Sequence, residues 1–235
     1  WLEDLFVRTR VSPTGCVATA TVAGAAVIGW LCTLVWSSVD GDTPTLHFVM
    51  CLSAVWFGAI NACREIIKER AILERERLFG LSMSRYVLSK VLVLAGLGLA
   101  QVLLLQLAVE WKLGVRGPFP LHTLALFGGS LCGTGLGLLV SALAARQERA
   151  VGAIPLLILP QILFSQFTVP SGTFEGVVKI IEHGMPVHWS YEVFAQAAAA
   201  EPAWGQAVLA LLVLALYAAV LAALTAVLLL RRREF

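Results

Sequence analysis

The chain has 235 residues, of which 59% are hydrophobic and only 14% are charged, with a net charge of +2 and a mean hydropathy of +0.85. Because roughly a quarter of the residues in soluble globular domains are charged, this composition excludes that class and indicates a membrane protein. The small net charge and the lack of a continuous basic surface exclude a nucleic acid as partner.

The N-terminal segment, WLEDLFVRTR, is amphipathic and lacks the uninterrupted apolar core of a signal peptide. Since the chain starts at Trp1 without a methionine, we expect it to be a piece of a longer protein. The five cysteines lie in or beside apolar runs, so we interpret them as packing residues and not as a disulfide framework.

Six apolar runs follow, and each approaches the roughly 20 helical residues needed to cross a hydrocarbon core. They lack the alternation of a barrel strand, so they predict helices whose backbone hydrogen bonds close within each segment. The predicted fold class is therefore an all-α polytopic membrane protein with six transmembrane helices, at about 17–38, 46–66, 86–109, 121–145, 150–167 and 206–230.

Orientation follows from the lysines and arginines, which are retained on the cytoplasmic side. With the N-terminus inside, all but three of the 17 basic residues fall in inner segments; the exceptions are Lys112, Arg116 and Lys179. Both termini are therefore predicted to be cytoplasmic. The segment 64–80, between the second and third spans, then faces the cytosol.

That segment carries charges of alternating sign, with Arg70 and Glu74 spaced for an i,i+4 pair, which suits a short solvated helix. Two interpretations remain open: an ordinary cytoplasmic loop, or a docking helix that passes force from a cytosolic motor into the membrane. On the second, the coupling residues are Glu69, Arg70, Glu74, Arg75, Glu76 and Arg77. Charge reversal at Glu69 or Glu76 is then expected to uncouple the motor and leave folding intact.

Two stretches carry a family resemblance. Glu69-Arg70, Arg75-Glu76-Arg77, Gly80-Leu81, Tyr86 and Lys90 resemble the run that links the second and third spans in the ABCG/White-type and related ABC-2-type ABC transporter membrane domains. Residues 185–194 are similar to that family's stretch before the last span, and they include Pro186, Trp189, Tyr191 and Glu192.

The resemblance implies a division into an amphipathic connecting helix at 1–15 and a six-helix domain at 16–235. Within this domain it implies a coupling helix at about 68–79 and a partly re-entrant outer segment at about 168–204. The outer segment has no cysteines, which points to a bacterial member and hence to the bacterial inner membrane.

The family also implies a permease half that pairs with a second copy or a close relative in the lipid bilayer, each half driven by a nucleotide-binding domain. The chain has no GxxxxGK[ST] phosphate loop. It is therefore expected to bind no cofactor itself, with ATP and Mg²⁺ on a domain upstream in the same polypeptide or on another subunit. The implied activity is ATP-driven export of a lipid-like, lipid-linked or amphipathic substrate.

Polar side chains within spans are costly and mark candidate transport paths. By the resemblance, the second and fifth spans line the central cavity, which selects Trp56, Phe57, Asn61, Gln161, Phe164 and Ser165 as substrate contacts. The alternative is that the amides bond a neighbouring helix. Pro155 and Pro160 in the fifth span each remove a backbone donor and can kink the helix.

Small residues spaced four apart in the fourth span, Gly129, Gly133 and Gly137, predict close helix packing within this half of the transporter. In the outer segment, 173–182 reads as a short amphipathic helix, either re-entrant or covering the span ends.

Other functions are disfavoured by the residues at hand. His183 and His188 are the only histidines close in sequence, and neither lies on a span beside a second ligand type, so no metal site or intramembrane protease is expected. Carboxylates are missing from the middle of the spans, which disfavours a proton-coupled carrier. The remaining rivals are an ATP-independent channel or carrier, and a membrane anchor for a cytosolic domain.

Overall fold

The computed structural model describes residues 14–38, 42–78, 82–165, 167, 177–199 and 203–231. Within these ranges the chain is helical and contains no strand. The helices, in chain order, are α1 Thr14–Trp36, α2 Pro44–Ala62, α3 Glu65–Leu78, α4 Met83–Leu113, α5 Phe119–Leu143, α6 Gln147–Leu163, α7 Val177–His183, α8 Pro186–Ala198 and α9 Trp204–Arg231.

Local sequence explains where several of these helices begin and end. Thr43 caps α2 by accepting a hydrogen bond from the Leu46 amide, and Pro44 occupies the first turn, where its missing N–H costs nothing. Helix α4 ends at Gly114, which adopts a left-handed conformation with φ 59°. Glycine takes this conformation without a Cβ clash, so it is suited to that position.

The core forms where α2 and α5 pack against each other, and α9, α8 and α4 complete the bundle around α5. The two helices approach so closely that a Cβ on Gly133 would overlap the Val55 carbonyl, and one on Gly58 would overlap the Ser130 carbonyl. Helix α1 packs along α4. Four of the cysteines have described side chains, and all four are buried and free: Cys32, Cys51, Cys63 and Cys132.

Four helical stretches are long and apolar enough to cross a membrane: Pro44–Glu76, which joins α2 to α3, Met83–Leu113, Phe119–Leu143 and Trp204–Arg231. They confirm the prediction of an all-α, multi-pass membrane protein. In α1 the described apolar part, Val22–Trp36, is shorter than a span requires. Helix α6 has 17 residues, and at 1.5 Å per residue it extends about 26 Å, less than the apolar thickness of a bilayer.

The observed boundaries differ from the predicted ones at α3 and α6. Helix α3 begins at Glu65, after a turn at 63–64, and so includes the end of the second predicted span. Helix α6 ends at Leu163, before the predicted 167, and contains both Pro155 and Pro160. The described part of the predicted outer helix 173–182 lies in α7, and α8 follows it; 173–176 lie outside the described residues. Residues 1–13 of the predicted connecting helix 1–15 also lie outside them, and 14–15 belong to α1.

Candidate functional site

Helix α3 is fastened to the bundle along one face. Ile66 and Leu73 are buried, and the Ser141 hydroxyl oxygen of α5 accepts hydrogen bonds from the amides of Ile66 and Ile67 at 3.1 and 3.3 Å. These amides belong to the first turn of α3, which has no intrahelical acceptors for them, so Ser141 satisfies donors that would otherwise be left unpaired. The start of α3 is therefore fixed against the end of α5.

A charged cluster connects α3 to α4. The Tyr86 hydroxyl donates to the carboxylate of Glu69 at 3.0 Å, and the Lys90 ammonium donates to the same carboxylate. Lys90 also lies 3.6 Å from Glu65, which accepts from Lys68 at 3.0 Å. The two glutamates and two lysines of this cluster thus neutralise each other where α3 meets α4. The Arg70 guanidinium, next to Glu69 in α3, donates to the Ala144 carbonyl just beyond α5 at 2.8 Å.

The six predicted coupling residues therefore fall into different environments. Glu69 and Arg70 are partly buried and bonded to neighbouring helices. Glu74 and Arg75 are exposed, and Glu76 is partly exposed. Arg77 lies in α3, but its side chain is outside the described residues. Ile72, one helical turn before Arg75, is an exposed apolar residue of α3 and is 57% accessible.

Three of the six predicted substrate contacts lie away from the cavity described below, and the other three line it. Asn61 of α2 donates from Nδ2 to Gln101 Oε1 of α4 at 2.6 Å, which is the interhelical bond that the alternative interpretation predicts. Phe57 is buried in the core and Trp56 packs beside it. None of these three residues lines the cavity described next.

The other three, on α6 and just beyond it, line a cavity at the end of the bundle opposite α3. It encloses about 270 Å³ of empty space, including its open mouth, between α2, the end of α6, α7 and α8. Its apolar and aromatic walls are Phe48, Phe164, Phe167, Met185 and Tyr191, and its polar walls are Gln161, Ser165, Glu182 and His188. No pattern in the sequence predicts that Phe48 or Glu182 belongs to this group.

The polar groups of the cavity differ in how they are satisfied. Gln161 is buried and donates to the Leu157 carbonyl at 3.2 Å, while its Oε1 has no hydrogen-bond partner in the described part of the chain. The Glu182 carboxylate lies 3.6 Å from His188 Nδ1. Burial lowers the pKa of His188, and the charge of Glu182 acts in the opposite direction.

The predicted outer-segment residues are all on α8. Pro186 begins the helix and is buried. Trp189 donates from Nε1 to the His183 carbonyl at 2.7 Å, which closes the turn between α7 and α8. Tyr191 faces the cavity and meets the Phe167 ring edge-on at a centroid distance of 5.1 Å. Glu192 accepts from Gln196 at 3.0 Å and lies away from the cavity lining.

A further cluster was not predicted. The Phe194 ring of α8 is fully buried between two histidines, stacked on His122 of α5 at 4.1 Å and tilted against His47 of α2 at 4.6 Å. The Asp42 carboxylate accepts a hydrogen bond from His47 Nε2 at 2.6 Å, and Glu110 lies 3.5 Å from His122. These residues are far apart in sequence, and only the fold brings them together.

The glycines predicted to allow close packing lie along the α2–α5 contact. A Cβ on Gly137 would overlap the Ala59 carbonyl of α2, in the same way as at Gly133. Gly129 lies one turn before Gly133 in α5, and an added Cβ there would be 3.0 Å from the Ser190 hydroxyl of α8. In the described residues no group of three or more metal-ligating side chains comes together.

Two known sequences or families are similar to this chain. A family model described as ABC-2 type transporter matches residues 6–199. The ATP-binding/permease protein Rv1747, an ABC transporter of Mycobacterium tuberculosis (strain ATCC 25618 / H37Rv), is 28% identical over 144 residues, which are 55% of this chain and 16% of that protein. The chain thus covers a minor part of that relative's length. The chain belongs to the ABC-2 type transporter family and is a membrane permease component.

Proposed function

We propose that this chain is the membrane-spanning half of an ATP-driven exporter. In this proposal it pairs with a second half, and the two form an alternating-access path for a lipid-like, lipid-linked or amphipathic substrate. Six spans cross the inner membrane: the four long helical stretches, together with α1 and α6. Both termini lie in the cytoplasm.

Family membership implies an ATP-binding partner domain, on which ATP and Mg²⁺ would bind. That domain would be fused to this chain or would be a separate subunit. Helix α3 is the surface on which we propose that it docks.

One observation carries the proposal: the two faces of α3 have opposite properties. One face is bonded to α4 and α5 through Glu69, Arg70 and the first-turn amides. The other exposes Ile72, Glu74 and Arg75. An exposed apolar residue flanked by charges of both signs suits a protein contact with a polar rim. A push on this face would be transmitted to two spans through the bonded face.

The structure also refines which residues we propose for coupling. Glu74 and Arg75 are the contacts to the ATP-binding domain, whereas Glu69 and Arg70 hold α3 in place. Phe164, Ser165 and Gln161 remain proposed substrate contacts, because they line the cavity. Asn61 has its amide donor in a helix–helix bond, so we assign it to the bundle.

The test is transport and ATP hydrolysis measured together in proteoliposomes that contain the full-length transporter. We expect the double reversal Glu74→Lys/Arg75→Glu to lower transport per ATP hydrolysed at least fivefold, a loss of about 1 kcal/mol in coupling. The melting temperature should be unchanged because both side chains are exposed. The matched control is Glu148→Lys, an exposed acid on α6. Transport that continues without nucleotide would contradict the proposal and favour a channel or passive carrier.

A further inference from the structure

Three aromatic side chains, Phe48, Phe167 and Tyr191, line the cavity at the α7–α8 end. Phe48 of α2 and Phe167 beyond α6 lie with ring centroids 4.7 Å apart, and Tyr191 of α8 meets Phe167 edge-on. An aromatic face carries partial negative charge and attracts a cation placed over it. The space of about 270 Å³ includes solvent at its open mouth, so the enclosed part is small and suits a single ammonium group and not a whole drug-sized molecule.

The polar walls supply acceptors and few donors. Gln161 Oε1 is buried and has no partner in the described residues, while the amide nitrogen of the same side chain is used by the Leu157 carbonyl. A buried acceptor without a donor is uncommon and unfavourable. A ligand that brings an N–H or O–H donor would therefore satisfy a group that the protein leaves open.

The charge of the cavity is negative. Glu182 contributes a carboxylate, and neither lysine nor arginine is among the described residues that line the space. The ionisable neighbour of Glu182 is His188, and its burial lowers its pKa, so the imidazole is largely neutral near pH 7. The Glu182 carboxylate therefore has no lysine or arginine beside it among the described residues of the lining.

We propose that this cavity binds the ammonium group of an amphiphile, with Glu182 as counter-ion, Gln161 Oε1 as hydrogen-bond acceptor and the rings of Phe48, Phe167 and Tyr191 around the cation. The ammonium group belongs either to the head of an aminophospholipid or to a soluble organic cation. As a stage on a transport path, this site rests on the function proposed above. Binding of the ammonium group requires neither nucleotide nor transport.

The experiment uses the full-length protein in nanodiscs of phosphatidylglycerol, a host lipid without an amine. Phosphatidylethanolamine and its N-acetylated form, which has the same chains but no cation, are added in equal amounts, and retained lipid is counted by native mass spectrometry. We expect about tenfold preference for the amine, since a desolvated cation–π contact with a charge-assisted hydrogen bond is worth at least that factor. In parallel, calorimetry compares n-butylammonium with n-butanol.

Three variants test whether the preference for the amine arises in this cavity. Glu182→Gln should abolish the preference, Gln161→Glu should increase it, and Glu148→Gln, far from the cavity, should leave it unchanged. The gain expected for Gln161→Glu keeps the test valid if Glu182→Gln folds poorly. Binding of n-butylammonium with the same variant pattern, without retention of phosphatidylethanolamine, identifies a soluble cation as the source.

Equal retention of the two lipids together with equal heats for the two butyl compounds would overturn the inference. A preference unaffected by Glu182→Gln and Gln161→Glu would do so too, because it would place the binding elsewhere. Since these measurements contain no ATP, loss of transport in the liposome test would leave their outcome unchanged.

Discussion

The hydroxyl of Tyr86 on α4 donates a 3.0 Å hydrogen bond to the carboxylate of Glu69 on α3. Lys90, one helical turn further along α4, donates to the same carboxylate. These three residues belong to the stretch between the second and third spans that carries the family resemblance. Their contacts show that Glu69 connects α3 to α4.

Charge reversal at Glu69 is therefore expected to weaken the fold, in contrast to the expectation from sequence that folding stays intact. Glu69→Lys loses the Lys90 pair and places two ammonium groups together. The loss should be about 1 kcal/mol, since the carboxylate is partly exposed. Thermal unfolding in detergent measures it. The double variant Glu69→Lys/Lys90→Glu should recover part of the loss, and Glu74→Lys is the exposed control; equal melting temperatures for Glu69→Lys and the wild type would refute this role.

Glycine is expected to be required at position 133. In Gly133→Ala the new methyl group overlaps the Val55 carbonyl of α2, so α2 and α5 must separate, at a cost of about 1–3 kcal/mol. Gly96→Ala on α4 is the matched control, because nothing lies within 4 Å of its added Cβ. Unfolding in detergent by denaturant compares the two. A Gly133→Ala protein as stable as Gly96→Ala would contradict the observed helix contact.

Phe194 is expected to anchor α8 to the bundle. Phe194→Ala leaves a cavity between His47 and His122 and should cost about 3 kcal/mol. The control is Leu156→Ala on α6, which is 68% exposed and should change stability by less than about 0.5 kcal/mol. Hydrogen exchange of the α8 amides reports the local effect. Unchanged protection of α8 in Phe194→Ala would show that other contacts hold this helix.

The pairing of α7 with α8 is expected to weaken in acid. Burial lowers the pKa of His188 from its ordinary 6.5, with Glu182 opposing the shift. Between the two pKa values the unfolded segment binds more protons than the folded one, so stability falls as the pH drops through 6.5. The fall stops once the pH is below the folded-state pKa. Hydrogen exchange of α8 between pH 7.5 and 5.0, corrected for intrinsic rates, follows this change.

His188→Asn should remove that pH dependence, whereas His183→Asn, which changes an exposed ring, should retain most of it. If wild-type α8 exchanged equally at both pH values, the buried imidazole would have no role in the stability of this segment.

Hydropathy and charge alone predicted the helical class, the long spans and the presence of α3. They succeed because a bilayer requires continuous apolar helices, and alternating charges suit a solvated one. Helix α6 begins at Gln147 and not at the predicted 150, because its first turn contains the charged Glu148 and Arg149, which a prediction from apolar runs leaves out.

The sites were harder to predict because their contacts are non-local. Asn61 and Gln161 look alike in sequence, as amides within apolar runs. The fold separates them: the Asn61 amide nitrogen donates to Gln101 on another helix, whereas Gln161 lines the cavity. The side-chain oxygen of each is buried and has no hydrogen-bond partner in the described residues. The grouping of Phe194 with His47 and His122 joins three helices, and no spacing along the chain could indicate it.

The seam between α2 and α5 has one more consequence. Backbone touches backbone there, so no side chain at Gly58 or Gly133 can change rotamer to let one helix slide past the other. We therefore expect the two helices to move as one rigid body. Motion that opens a route through this protein is then expected at the borders of the pair, where α6 packs against it.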